Sequence, residues 1–201
     1  MSETAPTYSQ SEVVAELTSY YEFLVRMYLP SVALKYPPPD GWPNITSERL
    51  AFLGKDDTVV SLLRHIPYIH DQKPPKDQFQ IYEKTAAVDY VGAYIQDCAS
   101  RGDTDPFYLN IVTDIPSHVV VLAQTRDLGR DGFFFFLNTS RGTISICDFQ
   151  VGGPGPTKLT QVSPIHYSSP LRIIFRPRVL TYGRRERKAQ ERNGGILQHI
   201  R

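Results

Sequence analysis

Residues 133–137 read Phe-Phe-Phe-Phe-Leu, and this run constrains the fold more than any other feature. A strand with one wet face alternates apolar and polar residues. This run does not alternate, so both of its faces must be covered. Its length suits a central strand better than a helix. Asn138-Thr139-Ser140-Arg141-Gly142 then supplies turn chemistry, and Gly142 can take a positive φ. Thr143 to Phe149 alternates again, with Ile144 and Ile146 on one side and Ser145 and Cys147 on the other. The local expectation is a β-hairpin inside a sheet, with other elements packed over it.

The rest of the chain can supply that cover. It has 201 residues, 41% of them apolar and 21% charged, which is ordinary for a globular domain. Two cysteines, Cys98 and Cys147, are too few for a disulfide framework and fall at apolar positions, so both read as buried thiols. The opening MSETAPTYSQ is polar, so no signal peptide is expected, and no window is apolar enough for a membrane span. The expected location is the cytoplasm, with the nucleus as the alternative. Two short glycosylation sequons, at Asn44 and Asn138, read as chance matches in that setting. Charge is unevenly spread. Residues 171–201 hold nine Lys/Arg against two Asp/Glu, whereas the first 170 hold 13 against 19. An acidic body ends in a basic tail.

Helical signals come first. Ser9 and Glu12 form a capping box ahead of Val13, Leu17, Tyr20, Tyr21, Leu24 and Tyr28, which recur at helical spacing. This predicts an amphipathic helix of about 18 residues ending near Pro30. Its tyrosines read as a core face with hydroxyls at the rim, in preference to a ligand pocket. Pro37-Pro38-Pro39 makes a rigid polyproline connector, Asp40-Gly41 offers a turn, and Trp42 is placed to pin the connector to the body. A recognition role for the prolines is weakened by the shortness of the segment. Thr46 or Ser47 is a cap for a short helix through Leu53, closed by Gly54. Asp57 is the expected cap of a helix carrying Val59, Val60, Leu62, Leu63 and Ile66, stopped by Pro67. An exposed loop, DQKPPKDQF, follows. A third long helix is expected over Thr85–Ser100, with Gly102 as terminator. After residue 105 the segments FYLNIVT, HVVVLAQT, GFFFFLN, TISICDF and LRIIFRP are short, β-rich and separated by turns. Helices before strands is the α+β order. The expected architecture is N-terminal helices packed on one face of a C-terminal antiparallel sheet. It comprises a disordered stretch at 1–8, one domain at 9–180 and a basic tail at 181–201.

Catalytic signatures are missing. No G-x-S-x-G, H-E-x-x-H or G-x-G-x-x-G is present, and the GGPGP turn lacks the Gly-Lys-Ser/Thr of a phosphate loop. His65 and His70 have a spacing that can bind zinc, but Pro67 breaks the helix between them. His118, His166 and His199 read as loop or surface residues. Cys147 as a nucleophile would need an accessible face that a strand does not give it. Asp89, Asp131 and Asp148 are the carboxylates that burial could tune for acid/base work. Asp131, inside Gly-Arg-Asp-Gly, reads first as a turn residue. No cofactor or metal is expected, and no catalytic residue is assigned.

Two segments carry a family resemblance. LGKDDTVVSLLRHIPYI places Ile66-Pro67-Tyr68 at a helix end, and IPSHVVVLAQTRDLGRDGFFFFLNTSRGTISICDF places Ile115-Pro116, Ala123, Gly129 and Asp131 ahead of a strand and its hairpin partner. In these features, over about a third of its length, the chain resembles the SUKH superfamily, which includes fungal regulators of cell-wall glucan synthesis and bacterial toxin-immunity proteins. The resemblance implies a non-enzymatic binding domain, fungal in style, in which the aromatic strand is central and helix-covered. It implies no catalytic residues. The Asn-Gly-Gly-like turn that the pattern has after the first element is replaced here by HDQKPPKDQ.

Two function classes follow. The first is an intracellular protein-binding or regulatory module. Its candidate contacts are Trp42, Asp131 and the tail residues Arg184, Arg185, Arg187 and Lys188. The second is a small cofactor-independent enzyme, a cyclase, isomerase or hydrolase, using an aromatic-lined pocket with an Asp or His base. Nucleic acid is a weaker partner class, reached through the tail. Cavity shape separates the first two. A closed pocket with convergent Asp, His and Tyr groups favours the enzyme, and a filled core with a concave surface favours the binder.

Overall fold

The computed structural model describes residues 8–71, 77–103, 106–107, 115–126 and 132–147. Helix α1, Gln10–Met27, begins as its capping box requires: the Ser9 hydroxyl accepts from the Glu12 amide at 3.4 Å. Val13, Leu17, Tyr21 and Leu24 are its buried stripe. The residues from 46 to 53 form turns ending in a 3-10 turn at Ala51–Leu53 instead of an α-helix, closed by Gly54 at φ 60°. Thr46 is the residue that caps them, accepting from the Arg49 amide. Helix α2, Asp57–His65, is capped by Asp56 and not by Asp57, since the Asp56 carboxylate accepts from the Val59 amide at 2.9 Å. Adjacent aspartates made the two positions hard to tell apart, and Asp57 lies in the first turn, where a negative charge meets the helix dipole.

The expected helix over 85–100 is the main correction. Its first part is strand β3, Thr85–Ala87, and only Ala93–Arg101 is helix, α3. Asp89 explains the break. One carboxylate oxygen accepts from the amides of both Val91 and Gly92 at 3.0 Å, a local turn that competes with the helix. Gly92 is then the N-cap of α3, and Gly102 terminates it in the left-handed conformation at φ 67°.

Four strands form the main sheet, in the order β3-β4-β5-β6, all antiparallel. Strand β4 is Val119–Thr125, β5 Phe134–Asn138 and β6 Thr143–Cys147. The register between β4 and β5 shifts between Val121 and Ala123, and the Leu122 carbonyl accepts from the Val88 amide. A second, two-stranded sheet was not expected. It pairs β1, Leu34–Lys35, with β2, Tyr68–Ile69. The architecture is α+β, with N-terminal helices and the four-stranded antiparallel sheet after them.

The phenylalanine run is interior from Phe134 on, as its lack of alternation requires, whereas Phe133 precedes the strand and is only partly buried. Phe134, Phe135, Phe136 and Leu137 are all buried, and β5 lies between β4 and β6. Phe134 and Phe136 stack on one face with ring centroids 6.0 Å apart. On the other face Tyr82 lies against Phe133 and Phe135, at 5.3 and 5.6 Å. The Asn138–Gly142 turn closes the hairpin, with the Asn138 side chain accepting from the Arg141 amide and Gly142 at φ 62°. One hydrophobic cluster joins residues of both helices α1 and α2 to the sheet. The FYLNIVT segment beyond Phe107, the LRIIFRP segment and the basic tail lie outside the described residues.

Candidate functional site

The end of α1 and the chain leading into β3 frame an open groove of about 530 Å³. Leu24 comes from α1 and Tyr28 from its C-cap, and Asp77, Gln78, Phe79, Gln80, Ile81 and Tyr82 come from the approach to β3. Arg126 closes it from the end of β4. The amphipathic stripe explains the first wall. Leu24 continues the buried face, and Tyr28, one turn on, emerges at 56% exposure. Hydroxyl groups fix the second wall to the helix: Tyr20 donates to the Ile81 carbonyl and Tyr28 to the Gln80 carbonyl. A tight turn then reverses the chain, with Lys84 at φ 48°, and its Lys84 carbonyl accepts from the Arg126 amide at 3.0 Å. That contact carries Arg126 to the groove. Burial raises the Tyr28 phenol above its usual range, and the nearby Arg126 charge opposes the rise. Tyr82, at 44% exposure, presents one side to the groove while its ring packs on the phenylalanine strand.

A second constellation lies in the tyrosine-rich interior. His70 Nδ1 and Asp89 Oδ2 are 2.7 Å apart, with the carboxylate mostly covered and the imidazole part-exposed. Beside them are Tyr21, Tyr68 and Tyr90, all buried. Burial pushes each phenol well above its ordinary range, and for Tyr21 and Tyr68 the neighbouring phenols and Asp89 push further. These hydroxyls therefore act as donors: Tyr68 to the Leu63 carbonyl at 2.5 Å and Tyr90 to the Val121 carbonyl at 2.9 Å. None of these five residues lines the groove. His65 is held separately, Nδ1 to the Ser61 carbonyl at 2.7 Å, so the two histidines do not converge. Among the described residues no group of three or more His, Cys, Asp or Glu could hold a metal ion.

Trp42 is the one sequence-nominated contact residue among the described residues. Its indole donates to the Ile66 carbonyl at 2.9 Å, and its ring lies 5.8 Å from Tyr68, so it ties the proline connector to the core. Asp131, Arg184, Arg185, Arg187 and Lys188 lie outside the described residues, as does Asp148. Cys98 and Cys147 are buried free thiols. Burial pushes Cys147 up to about 11 and raises Cys98 as well, which leaves both weakly nucleophilic. Sequence reasoning did not nominate Phe79, Tyr82 or Arg126. Phe79 and Tyr82, two aromatic residues in a mostly polar loop that also holds Ile81, were the available signal. No helix among the described residues is long and apolar enough to cross a membrane. Comparison with family models, curated proteins and solved structures found no match for the chain.

Proposed function

We propose that the protein is a non-enzymatic, protein-binding module that takes an extended polypeptide segment of its partner in the groove between α1 and the 77–82 segment. The observation that carries this reading is the groove itself: an open trough with aromatic walls, Tyr28, Phe79 and Tyr82, and one charge of each sign, Asp77 and Arg126. Its volume is that of a site for a few side chains. Tyrosine and arginine are the residue types that dominate binding energy at protein interfaces. A single arginine does not make the basic stripe that nucleic acid needs. A regulatory role of the SUKH kind agrees with this reading.

The second reading, a small cofactor-independent enzyme, is favoured by one observation. His70 is oriented by Asp89 and keeps an exposed edge, the arrangement of a positioned base. The dyad stands apart from the groove residues, so this reading takes second place.

Quantitative affinity purification of the tagged full chain from its native cell tests the proposal. Three variants accompany the wild type: Tyr28→Ala with Tyr82→Ala, Gln80→Lys, and deletion of the last 20 residues. Gln80 is exposed, so its variant leaves the core intact. A partner lost with both groove variants and kept by the deletion supports the groove. A partner lost only with the deletion, or kept by the groove variants, overturns it.

A further inference from the structure

We propose that the groove between α1 and the 77–82 segment receives a methylated lysine side chain, its alkylated ammonium held by the rings of Tyr28, Phe79 and Tyr82 on the Asp77 side. This rests on the reading of the groove as a polypeptide site and names what that polypeptide carries. The make-up of the walls points to a cation. Three of the nine residues that line the groove are aromatic. The face of an aromatic ring is the negative end of its quadrupole, and it attracts a cation within about 6 Å of the ring centre. Asp77, exposed at the start of the same wall, adds a full negative charge. Arg126 is the opposing charge, and the chain roots it past the other end of that wall, where its amide donates to the Lys84 carbonyl beyond Tyr82. The favourable place for a cation is therefore the Asp77 and Phe79 end.

Hydrogen-bond accounting selects methylation. An unmodified lysine brings N–H donors that each need an acceptor, and a tightly held shell of water. Along this wall the main-chain acceptors are already engaged. The Gln80 carbonyl accepts from the Tyr28 hydroxyl, the Ile81 carbonyl from the Tyr20 hydroxyl, and the Tyr82 carbonyl from the Thr85 amide. An arginine would bring still more donors to the same engaged wall. Methylation of lysine keeps the charge. It replaces the donors with methyl groups, which shed water readily and pack on ring faces.

The rings are held in place by the fold. The Phe79 amide donates to the Asp71 carboxylate at 2.8 Å, which closes the loop before β3 onto its own start. The Ile81 and Tyr82 amides both donate to the Thr85 carbonyl, at 2.8 and 3.4 Å. Tyr82 packs on Phe133 and Phe135 and yet stays exposed, and Tyr28 stays exposed while tied to Gln80. Rings fixed in this way lose little freedom when a cation arrives. The open volume of about 530 Å³ has room for a lysine stem and the flanking main chain as well as the ammonium group. That size favours a polypeptide over a small quaternary ammonium compound as the source of the cation.

The test records amide spectra of the isotope-labelled full chain during titration with Nα-acetyl-Nε-trimethyl-lysine amide, the same compound unmethylated, its uncharged carbon isostere, and phosphocholine. The expected result is saturable shifts at residues 77–82 with the trimethylated probe, which should bind about fivefold or more tighter than any of the others. That comparison uses the wild-type chain alone, so it stands whether or not a variant folds. Phe79→Leu keeps an apolar side chain without a ring face and should weaken the trimethylated probe about fivefold, whereas Phe79→Tyr should bind within about threefold of wild type. Asp77→Asn should weaken the same probe about twofold and leave the uncharged isostere unchanged. Any other probe binding as tightly as the trimethylated one, shifts confined to residues outside the groove, or no saturable binding overturns the inference. If one of these occurs while the partner is still lost with the groove variants in affinity purification, the groove reading stands and only the methylated lysine falls.

Discussion

Thr85→Val sets two physical arguments against each other. Valine matches threonine in shape, favours strands and adds apolar volume, so β propensity and burial predict a gain. The hydroxyl predicts a loss. Thr85 is fully buried, its Oγ1 donates to the Glu83 carbonyl at 2.8 Å, and it accepts from the Phe133 amide at 2.9 Å. The Glu83 carbonyl sits in an exposed turn and can turn to water. The Phe133 amide is part-buried, beside Gly132, whose missing Cβ would stand 2.3 Å from the Lys84 carbonyl oxygen. A buried donor left without an acceptor costs about 1–3 kcal/mol. Strand propensity spans about 1 kcal/mol at most and offsets part of that. The expected net effect is a loss of about 1–2 kcal/mol, or a fall in Tm of roughly 3–8 °C. Guanidinium unfolding followed by the fluorescence of the single tryptophan gives the stability change. Amide exchange at Phe133 gives the mechanism: faster in Thr85→Val, near wild type in Thr85→Ser, which keeps the hydroxyl. A Thr85→Val variant as stable as wild type, with Phe133 still protected, would refute the reasoning.

Three further predictions follow from local contacts. Asp56→Ala should destabilise by about 1 kcal/mol, the usual cost of a lost N-cap, whereas Asp57→Ala should cost about 0.3–0.5 kcal/mol by denaturant titration; equal effects would contradict the cap assignment. Asp89→Ala should cost more than Asp89→Asn, by about 1 kcal/mol in the same titration, because asparagine keeps an oxygen for the Val91 and Gly92 amides. Burial raises the Cys147 thiol to about 11, so the folded state holds that proton more tightly than the unfolded chain. Its contribution to stability is therefore complete below pH of about 9 and declines as pH rises toward 11. Unfolding curves of wild type and Cys147→Ser across that window should diverge in slope, the wild type losing more stability per pH unit.

What was legible followed strong local signals. The capping box at Ser9, the left-handed stops at Gly54 and Gly102, and the turn at Asn138–Gly142 each rest on one or two residues with a specific backbone role. The phenylalanine run declared most of its own burial, since Phe134, Phe135 and Phe136 are buried in β5, whereas Phe133, just before the strand, stays partly exposed. The segment over 85–100 misled for an equally physical reason. Val88, Val91, Ile95 and Cys98 do recur at helical spacing, but Asp89 captures two backbone amides before a helix can use them, and Thr85–Ala87 find strand partners some forty residues away. Neither the side-chain capture nor the distant pairing is visible in a periodicity. The groove was hidden similarly. Its walls lie about fifty residues apart in sequence and meet because tyrosine hydroxyls on α1 find carbonyls at 80 and 81.

Those tyrosines have two tasks that pull in different directions. Tyr68 and Tyr90 are fully buried, and a buried hydroxyl needs a partner or it costs stability; each donates to a main-chain carbonyl. Tyr28 is mostly exposed and could have found water instead, yet it also donates to a main-chain carbonyl, and Tyr94 does the same to Pro106. A side chain tied to a carbonyl is held at a fixed place, because the carbonyl belongs to the chain trace. For the interior rings this fixes packing. For Tyr28 the same bond holds an apolar ring at the mouth of the groove, with its rotamer freedom already spent. On the proposed binding reading, a wall ordered in this way leaves an arriving segment to immobilise only itself. The hydroxyls that link α1 to the approach to β3 also hold the groove's two walls together, so the folding of that link and the shape of the groove are one event.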